Sequence, residues 1–184
     1  MYRRILVLAV SLAAALPPGP ARAQSAEVGF LSGLSVFTAD GRDALTSFSA
    51  PGSGLVLPTG GMYATLFATP NVAVEPQVGF LVLSSGGNTE WLGSLGGQVA
   101  YHTRGGAQSS PYFGGNASWA RDAGEDNSFT LGGVVGYRAI LPPGLGLRIE
   151  AGYRRWFTRG DGDFDPVDFN QFSVSVGVGG LVGG

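Results

Sequence analysis

From Ala26 onward the chain alternates apolar and polar residues, and no window of helical length sustains apolar residues at i, i+3, i+4 and i+7. A period of two sends successive side chains to opposite faces of a strand. About eight strands follow, bounded by Gly-, Pro-, Asn- and Ser-rich breaks. The first, about Glu27 to Phe37, sets Val28, Phe30, Leu34 and Val36 on one face, and the second runs from about Gly61 to Thr69. The third, about Val72 to Ser84, opposes Val72, Val74, Val78, Phe80 and Val82 to Glu75 and Gln77. The fourth, about Glu90 to His102, opposes Trp91, Leu95, Val99 and Tyr101 to Glu90, Ser94, Gln98 and His102. The fifth, about Pro111 to Arg121, opposes Phe113, Ala117 and Trp119 to Asn116 and Ser118. The sixth, about Ser128 to Ile140, opposes Phe129, Leu131, Val135 and Tyr137 to Thr130 and Arg138. In the seventh, Leu145, Leu147, Ile149 and Tyr153 face away from Arg148, Glu150 and Arg154. The last, from about Phe169, alternates Phe172, Val174, Val176 and Val178 with Gln171, Ser173 and Ser175.

The preceding segment has another logic. Arg3 and Arg4 lead into an apolar run from Ile5 to Leu16, then Pro17, Pro18 and Pro20, then the small-x-small site Ala21-Arg22-Ala23. That pattern predicts a cleaved secretory signal peptide over 1–23 and one domain over 24–184, beginning at Gln24. With 44% apolar and 13% charged residues over the full chain, the exported part can fill a core, which argues against disorder. It has no cysteine, so it cannot be a disulfide-stapled scaffold. All 11 basic residues are arginine; three leave with the signal, and the remaining 8 against 13 acids give −5, the wrong sign for nucleic acid. Beyond the signal no stretch reaches the ~20 apolar residues of a membrane helix.

Any membrane role therefore falls to strands, and their length fits it. Segments of about 9 to 11 residues span a tilted path through lipid, longer than an ordinary sheet strand. In lipid every backbone polar group must be bonded within the protein, which demands a closed sheet. Glu75, Arg138, Arg148, Glu150 and Arg154 all fall on the polar face. A membrane barrel turns that face to its lumen, whereas a soluble barrel turns it to water, so the polarity of the two faces discriminates between them. Trp91, Tyr101, Phe113, Trp119, Phe129 and Tyr137, near strand ends on the apolar face, are placed as aromatic girdles at the membrane interfaces. The connections favour the same answer. Thr38 to Gly60, Ser84 to Thr89, Asp122 to Asn127 and Thr158 to Asp168 share one end, and Pro70-Asn71, Thr103 to Ser110 and Pro142-Pro143-Gly144 the other. Short inner turns and long outer loops are the rule in such barrels; Ser84 to Thr89 is short for it and Thr103 to Ser110 long.

The export signal, about eight strands and the segments Val72-Ala-Val-Glu-Pro-Gln-Val-Gly-Phe80, Pro111-Tyr-Phe-Gly-Gly-Asn116, Leu131-Gly-Gly-Val-Val-Gly-Tyr-Arg138 and Leu147-Arg-Ile-Glu-Ala-Gly-Tyr-Arg154 are similar to the OmpA/OmpX-like outer-membrane beta-barrel family of Gram-negative bacteria. The resemblance covers essentially the whole mature chain and implies an all-β, closed antiparallel up-and-down transmembrane barrel in the cell outer membrane. One departure is the end: barrels of that family usually finish on an aromatic residue, and this chain runs past Val178 into Gly179-Gly-Leu-Val-Gly-Gly184.

An eight-stranded interior is just wide enough for side chains to fill. Glu75, Arg138, Arg148, Glu150 and Arg154 are therefore expected to meet as a bonded polar plug. The alternative is a gated conduit in which Arg–Glu pairs exchange partners. Asp161-Gly-Asp163-Phe-Asp165-Pro166-Val-Asp168 has alternating carboxylates but places Pro166 where a calcium loop needs glycine and Phe172 where it needs Glu, and it reads as a solvated acidic loop. Weak divalent-cation binding there, with Asp122, Glu125 and Asp126 as a second cluster, is the alternative. His102 has no serine two residues on and reads as a rim side chain, not a catalytic one. Gly93-Ser-Leu-Gly96-Gly97 and Gly132-Gly133 lie in strands and lead into no helix, so they mark bends or aromatic-covered backbone instead of phosphate loops. Asn116-Ala117-Ser118 falls mid-strand and is discarded as a glycan acceptor.

The expectation is an outer-membrane protein with no catalytic site and no cofactor, surrounded by membrane lipid and lipopolysaccharide. Its expected role is envelope integrity, surface contact or adhesion through its outer loops. The loop over 38–60, with Leu55-Val56-Leu57 between Gly54 and Pro58, is the favoured partner surface. The alternatives are a narrow porin-like channel for small solutes and a soluble exported barrel binding an apolar ligand.

Overall fold

The computed structural model describes residues 26–38, 45–49, 61–85, 88–105, 108–122, 127–159 and 169–182, with the side chains of 45–49, 80–85, 88–92, 122 and 158–159 left aside. The signal-peptide segment lies outside the described residues. The strands are β1 (Ala26–Thr38), β2 (Leu45–Ser49), β3 (Gly61–Phe67), β4 (Val72–Ser85), β5 (Asn88–His102), β6 (Ser110–Asp122), β7 (Asn127–Leu141), β8 (Leu145–Arg159) and β9 (Phe169–Val182). They pair antiparallel in the order β2-β1-β3-β4-β5-β6-β7-β8-β9, and β1 also pairs with β9, closing the sheet into a barrel.

The strand β2 departs from the sequence reading, which left Thr38 to Gly60 as a single loop. It lies end to end with β3 along one edge of β1: Gly33↔Ser49 to Phe37↔Leu45 belong to β2, and Glu27↔Thr65 to Leu31↔Gly61 to β3. The two together fill one position, so the barrel has eight strands around its circumference. Leu45-Thr-Ser-Phe-Ser49 is short and has its two apolar residues three apart in sequence, so it shows no period of two. The requirement comes from β1, whose 13 residues outrun the 7 of β3 and would otherwise leave backbone groups without partners. The remaining eight strands match the expected ones to within one or two residues at most of their ends.

Closure runs over the full length of β1, from Ala26↔Val182 to Thr38↔Asn170. The glycine-rich end is thus no loose tail up to Val182: Gly179 and Gly180 pair with Gly29 and Val28 inside the sheet. At the turn end, Thr69 Oγ1 accepts from the backbone N–H of Val72 at 3.0 Å, and Gly144 N–H donates to Leu141 C=O at 2.9 Å. Gly144 holds φ at 109°, a left-handed value that glycine alone takes without strain. On the β3–β4 seam the ladder skips the positions opposite Glu75 and Pro76, where proline has no N–H to donate.

Burial alternates strictly. Val28, Phe30, Leu34, Val78, Val99, Leu131, Val135, Ile149, Val174 and Val176 are exposed on the outside, while Glu27, Glu75, Gln98, Thr130, Arg138, Arg148 and Gln171 are buried inside. Val135 is 58% exposed and Arg138, three residues on, 1%. This is a water-soluble barrel turned inside out, and it overturns the alternative of a soluble barrel with an apolar ligand in its interior. Only a surrounding hydrocarbon makes such an outer surface favourable.

Candidate functional site

The charged side chains of the lumen form two linked clusters. In the first, Arg148 on β8 reaches across the barrel to Glu75 on β4 in a bidentate pair, Nη1 to Oε2 at 2.5 Å and Nη2 to Oε1 at 2.7 Å. Thr65 and Gln77 donate to the same carboxylate at 2.7 and 2.8 Å. The Arg148 guanidinium lies 3.7 Å over the Tyr63 ring, and its Nε is 3.6 Å from Glu150 Oε1. Glu150 in turn accepts from Tyr112 Oη at 2.5 Å and from Ser175 Oγ at 3.4 Å. In the second cluster, Arg138 Nε donates to Glu27 Oε2 at 2.6 Å, and Tyr63 Oη donates to Glu27 Oε1 at 2.5 Å. Tyr63 thus bridges the two. Buried ions are costly unless each is paired and its remaining lone pairs and protons are bonded, and parallel two-point contacts to a carboxylate are the strongest form of such pairing.

Toward the loop end the lumen changes character. Arg154 Nε donates to Asn116 Oδ1 at 3.0 Å. One inward step above it, Trp156 stacks on Phe169 with centroids 5.2 Å apart, and Phe37 meets Phe169 edge-on at 5.6 Å. Trp156 Nε1 donates to Gln171 Oε1 at 2.9 Å, and Gln171 Nε2 donates to Ser35 Oγ at 3.0 Å. An aromatic cap therefore closes the lumen above Arg154.

Glycines make room for this packing. Tyr112 lies flat across Gly136, where an added Cβ would meet its Cζ at 2.5 Å and the backbone oxygen of Ile149 at 2.8 Å. Gly180, by contrast, faces open space. Gly136→Ala is expected to cost about 1–3 kcal/mol by pushing Tyr112 off Glu150. Gly180→Ala should be nearly neutral. Urea titration of the two folded variants in detergent checks the contrast, and equal midpoints would contradict it.

All five charged residues singled out from sequence lie on the inward face, but they do not form one group. Glu75, Arg148 and Glu150 meet; Arg138 pairs instead with Glu27; and Arg154 has no carboxylate within 4 Å among the described residues. Sequence reasoning passed over Glu27, Tyr63 and Tyr112. Glu27 carried the same signal as the others, an acid opposite Val28 and Phe30, but stands at the very start of its strand.

His102 lies at the end of β5, buried, with Nδ1 3.2 Å from Ser110 Oγ on β6. This serine comes from the neighbouring strand, eight residues on, which a local search could not see. The His102 ring stacks on Tyr112 at 4.9 Å and meets Phe67 edge-on at 5.2 Å, while Ser110 is 0% exposed. The His102 ring is thus packed on both sides, by Tyr112 and Phe67.

On the outside, Tyr101, Phe113 and Tyr137 are exposed toward the turn end and Trp119 and Phe129 toward the loop end. Tyr101 and Phe113 rings lie 5.7 Å apart, and Phe129 stacks near Phe157 at 6.5 Å. Trp91 pairs with Val82 through its backbone, and its side chain is outside the description. The acidic stretch over 161–168, Glu125, Asp126 and Leu55-Val56-Leu57 also lie outside the described residues. Among those described, no group of three or more His, Asp or Glu could hold a metal ion.

An apolar outer band, aromatic residues toward both of its edges and an ion-paired interior define a transmembrane β-barrel. The chain matches the outer membrane protein beta-barrel domain family over residues 5–179 and belongs to it, which places it in the outer membrane. Among solved structures it is similar to Neisserial surface protein A, at 16% identity and a TM-score of 0.53, over 83% of this chain and 96% of that one. It is also similar to outer membrane protein AlkL, as determined in lipid bilayers, at 14% identity and a TM-score of 0.54, over 90% and 93%. Both likenesses are of fold. Comparison with curated proteins gave no match.

Proposed function

We propose that this protein works as a closed barrel whose role lies at its loop end, in envelope integrity, surface contact or adhesion, and not in passage through its lumen. The observation that carries this reading is the cross-barrel pairing of Arg148 with Glu75, which with Tyr63 and Arg138–Glu27 fills the lumen toward the turn end. The exposed rings at the two ends serve as interfacial girdles. On β7, Phe129 and Tyr137 are separated by about 26 Å of strand, comparable, before tilt, with the ~25 Å apolar band of outer-membrane barrels. Membrane lipid and lipopolysaccharide surround that band, and the segment over 38–60 offers the surface for a partner, its middle anchored to β1 by β2.

A second reading, a narrow channel for small solutes, draws support from Arg148 standing between two carboxylates, 2.5 Å from Glu75 and 3.6 Å from Glu150. A guanidinium so placed has a second partner within reach if it lets go of the first. Planar-bilayer recording separates the two readings. The purified barrel should give no stepwise conductance. Regular steps, altered in amplitude or frequency by Arg148→Ala, would replace the closed reading with the channel.

A further inference from the structure

The outward face of the strands carries charge of one sign and at one end. The strand carboxylates whose side chains are described, Glu27, Glu75 and Glu150, are all buried inside the barrel. On the lipid-facing side the charged side chains described are Arg155 on β8, which is exposed, and Arg121 on β6, half-buried one outward step beyond Trp119. Both belong to the loop-end half of the barrel. Arg155 is six residues from Ile149, the cross-strand partner of Tyr137, so about 20 Å of strand separates it from the turn-side rings. Arg104 lies in the turn after β5, outside the apolar band.

Arg155 has polar company. Its cross-strand partner on β9 is Asn170, and Thr38 on β1 follows in the same row. Three adjacent outward positions are therefore polar, amid Leu131, Tyr153, Phe157 and Phe172. Tyr153 Oη donates to Asn170 Oδ1 at 2.7 Å. That bond engages the amide oxygen and leaves Nδ2 as the donor that Asn170 offers beside Arg155. The Arg155 guanidinium lies 5.8 Å from the centre of the Phe157 ring, the next outward position toward the loops. An arginine on the lipid side is tolerated at such a level because its stem rests on apolar surface while its head reaches the headgroups.

The donor set selects the headgroup. Guanidinium meets phosphate through two parallel N–H contacts, a match that lysine lacks, and every basic residue of this chain is arginine. In the outer leaflet the phosphates belong to the lipid anchor of lipopolysaccharide and sit at the top of its acyl chains, the level at which Arg155 emerges beside Phe157. Below the row the rings of Tyr153 and Phe172, 5.0 Å apart, present apolar surface to those chains.

We propose that Arg155, with Asn170 Nδ2 as a second donor and Thr38 beside it, binds a phosphate of lipopolysaccharide on the outside of the barrel wall. Arg121, two strands away, adds a second cation toward the headgroup. The site rests on the loop end facing outward, the reading proposed above.

The test folds the mature barrel into detergent micelles, titrates it with bisphosphorylated lipid A and counts retained lipid by native mass spectrometry. One lipid A should be retained per barrel. Lipid A stripped of its phosphates, and phosphatidylglycerol, should bind about tenfold more weakly, the loss expected for one charge-assisted contact. Arg155→Leu suits a lipid-facing position and should weaken lipid A by about the same factor. Should that variant not fold, Arg155→Gln, polar but uncharged, should show the same loss. Arg104→Leu, at the turn end, should change nothing. Equal retention of the dephosphorylated lipid or of phosphatidylglycerol, an unchanged affinity in the Arg155 variant, or an equal loss in Arg104→Leu would each overturn the site. Orientation is measured separately, since the chain has no cysteine. Thr103→Cys on intact cells should escape a membrane-impermeant maleimide. Labelling there would put the turn end outside and overturn the orientation and the site together, whereas no labelling with no lipid A retained would overturn the site alone.

Discussion

Arg148→Ala is expected to destabilise the folded barrel by about 3–5 kcal/mol, the usual cost of removing one member of a buried ion pair. The loss comes from what stays behind. Glu75, 2% exposed, would keep its bonds from Thr65 and Gln77 but lose both guanidinium contacts. Glu150 would lose the cation 3.6 Å away, and Tyr63 the guanidinium over its ring. The Arg148 stem also lies against Gly177, where an added Cβ would meet its Cγ at 2.7 Å, so truncation opens a void that glycine cannot refill. The combination Glu75→Leu with Arg148→Met should recover most of the loss, because replacing both ions by apolar groups of similar size removes the stranded charge. Urea titration in detergent, followed by gel mobility, measures all three proteins. A cost below about 1 kcal/mol for the single variant would place the pair in solvated surroundings, like a surface salt bridge, and would argue for a wet and open lumen.

The barrel was legible in sequence because most strands obey a single period, so residues such as Val28, Val99, Val135 and Val178 could be assigned a side before any neighbour was known, though inward apolar residues such as Tyr63, Tyr112 and Trp156 stood outside that pattern. Partners across the lumen were not. Glu75 and Arg148 are 73 residues apart, and Arg138 and Glu27 111; what brings them together is the closure of β1 on β9, which no local pattern encodes. The same limit applies to His102 and Ser110, joined by β5–β6 pairing, and to Arg154 and Asn116, joined over the space left by Gly132. The strand β2 escaped for the opposite reason: it is too short and too polar to show a period, and it exists because the edge of β1 beyond β3 needs a partner. The glycines illustrate both sides. Their presence in strands announced close approach, but only the fold identifies what approaches, Tyr112 at Gly136 and Arg154 at Gly132.

Val135→Arg is expected to cost more than Tyr137→Arg when the barrel is folded in a bilayer, between the roughly 0–1 kcal/mol of an interfacial position, which Tyr137 takes, and the roughly 2–4 kcal/mol of the midplane. Val135 lies near the middle of β7 with its side chain 58% exposed, between the rings of Phe129 and Tyr137. In water such a position would accept arginine within about 0.5 kcal/mol, as surface sites do. In hydrocarbon the guanidinium must either leave its hydration or drag water and headgroups inward, and the penalty shrinks as the position nears the interface. The depth dependence is thus a readout that a soluble barrel cannot produce, because both positions would then meet the same solvent. Folding into phosphatidylcholine vesicles across a urea series, read by gel mobility and tryptophan fluorescence, gives the two free energies. Similar small costs at both positions would mean that the exposed valines and leucines are covered by protein instead of lipid. A steep difference would place Val135 within the apolar band and its turn-side edge near Tyr137.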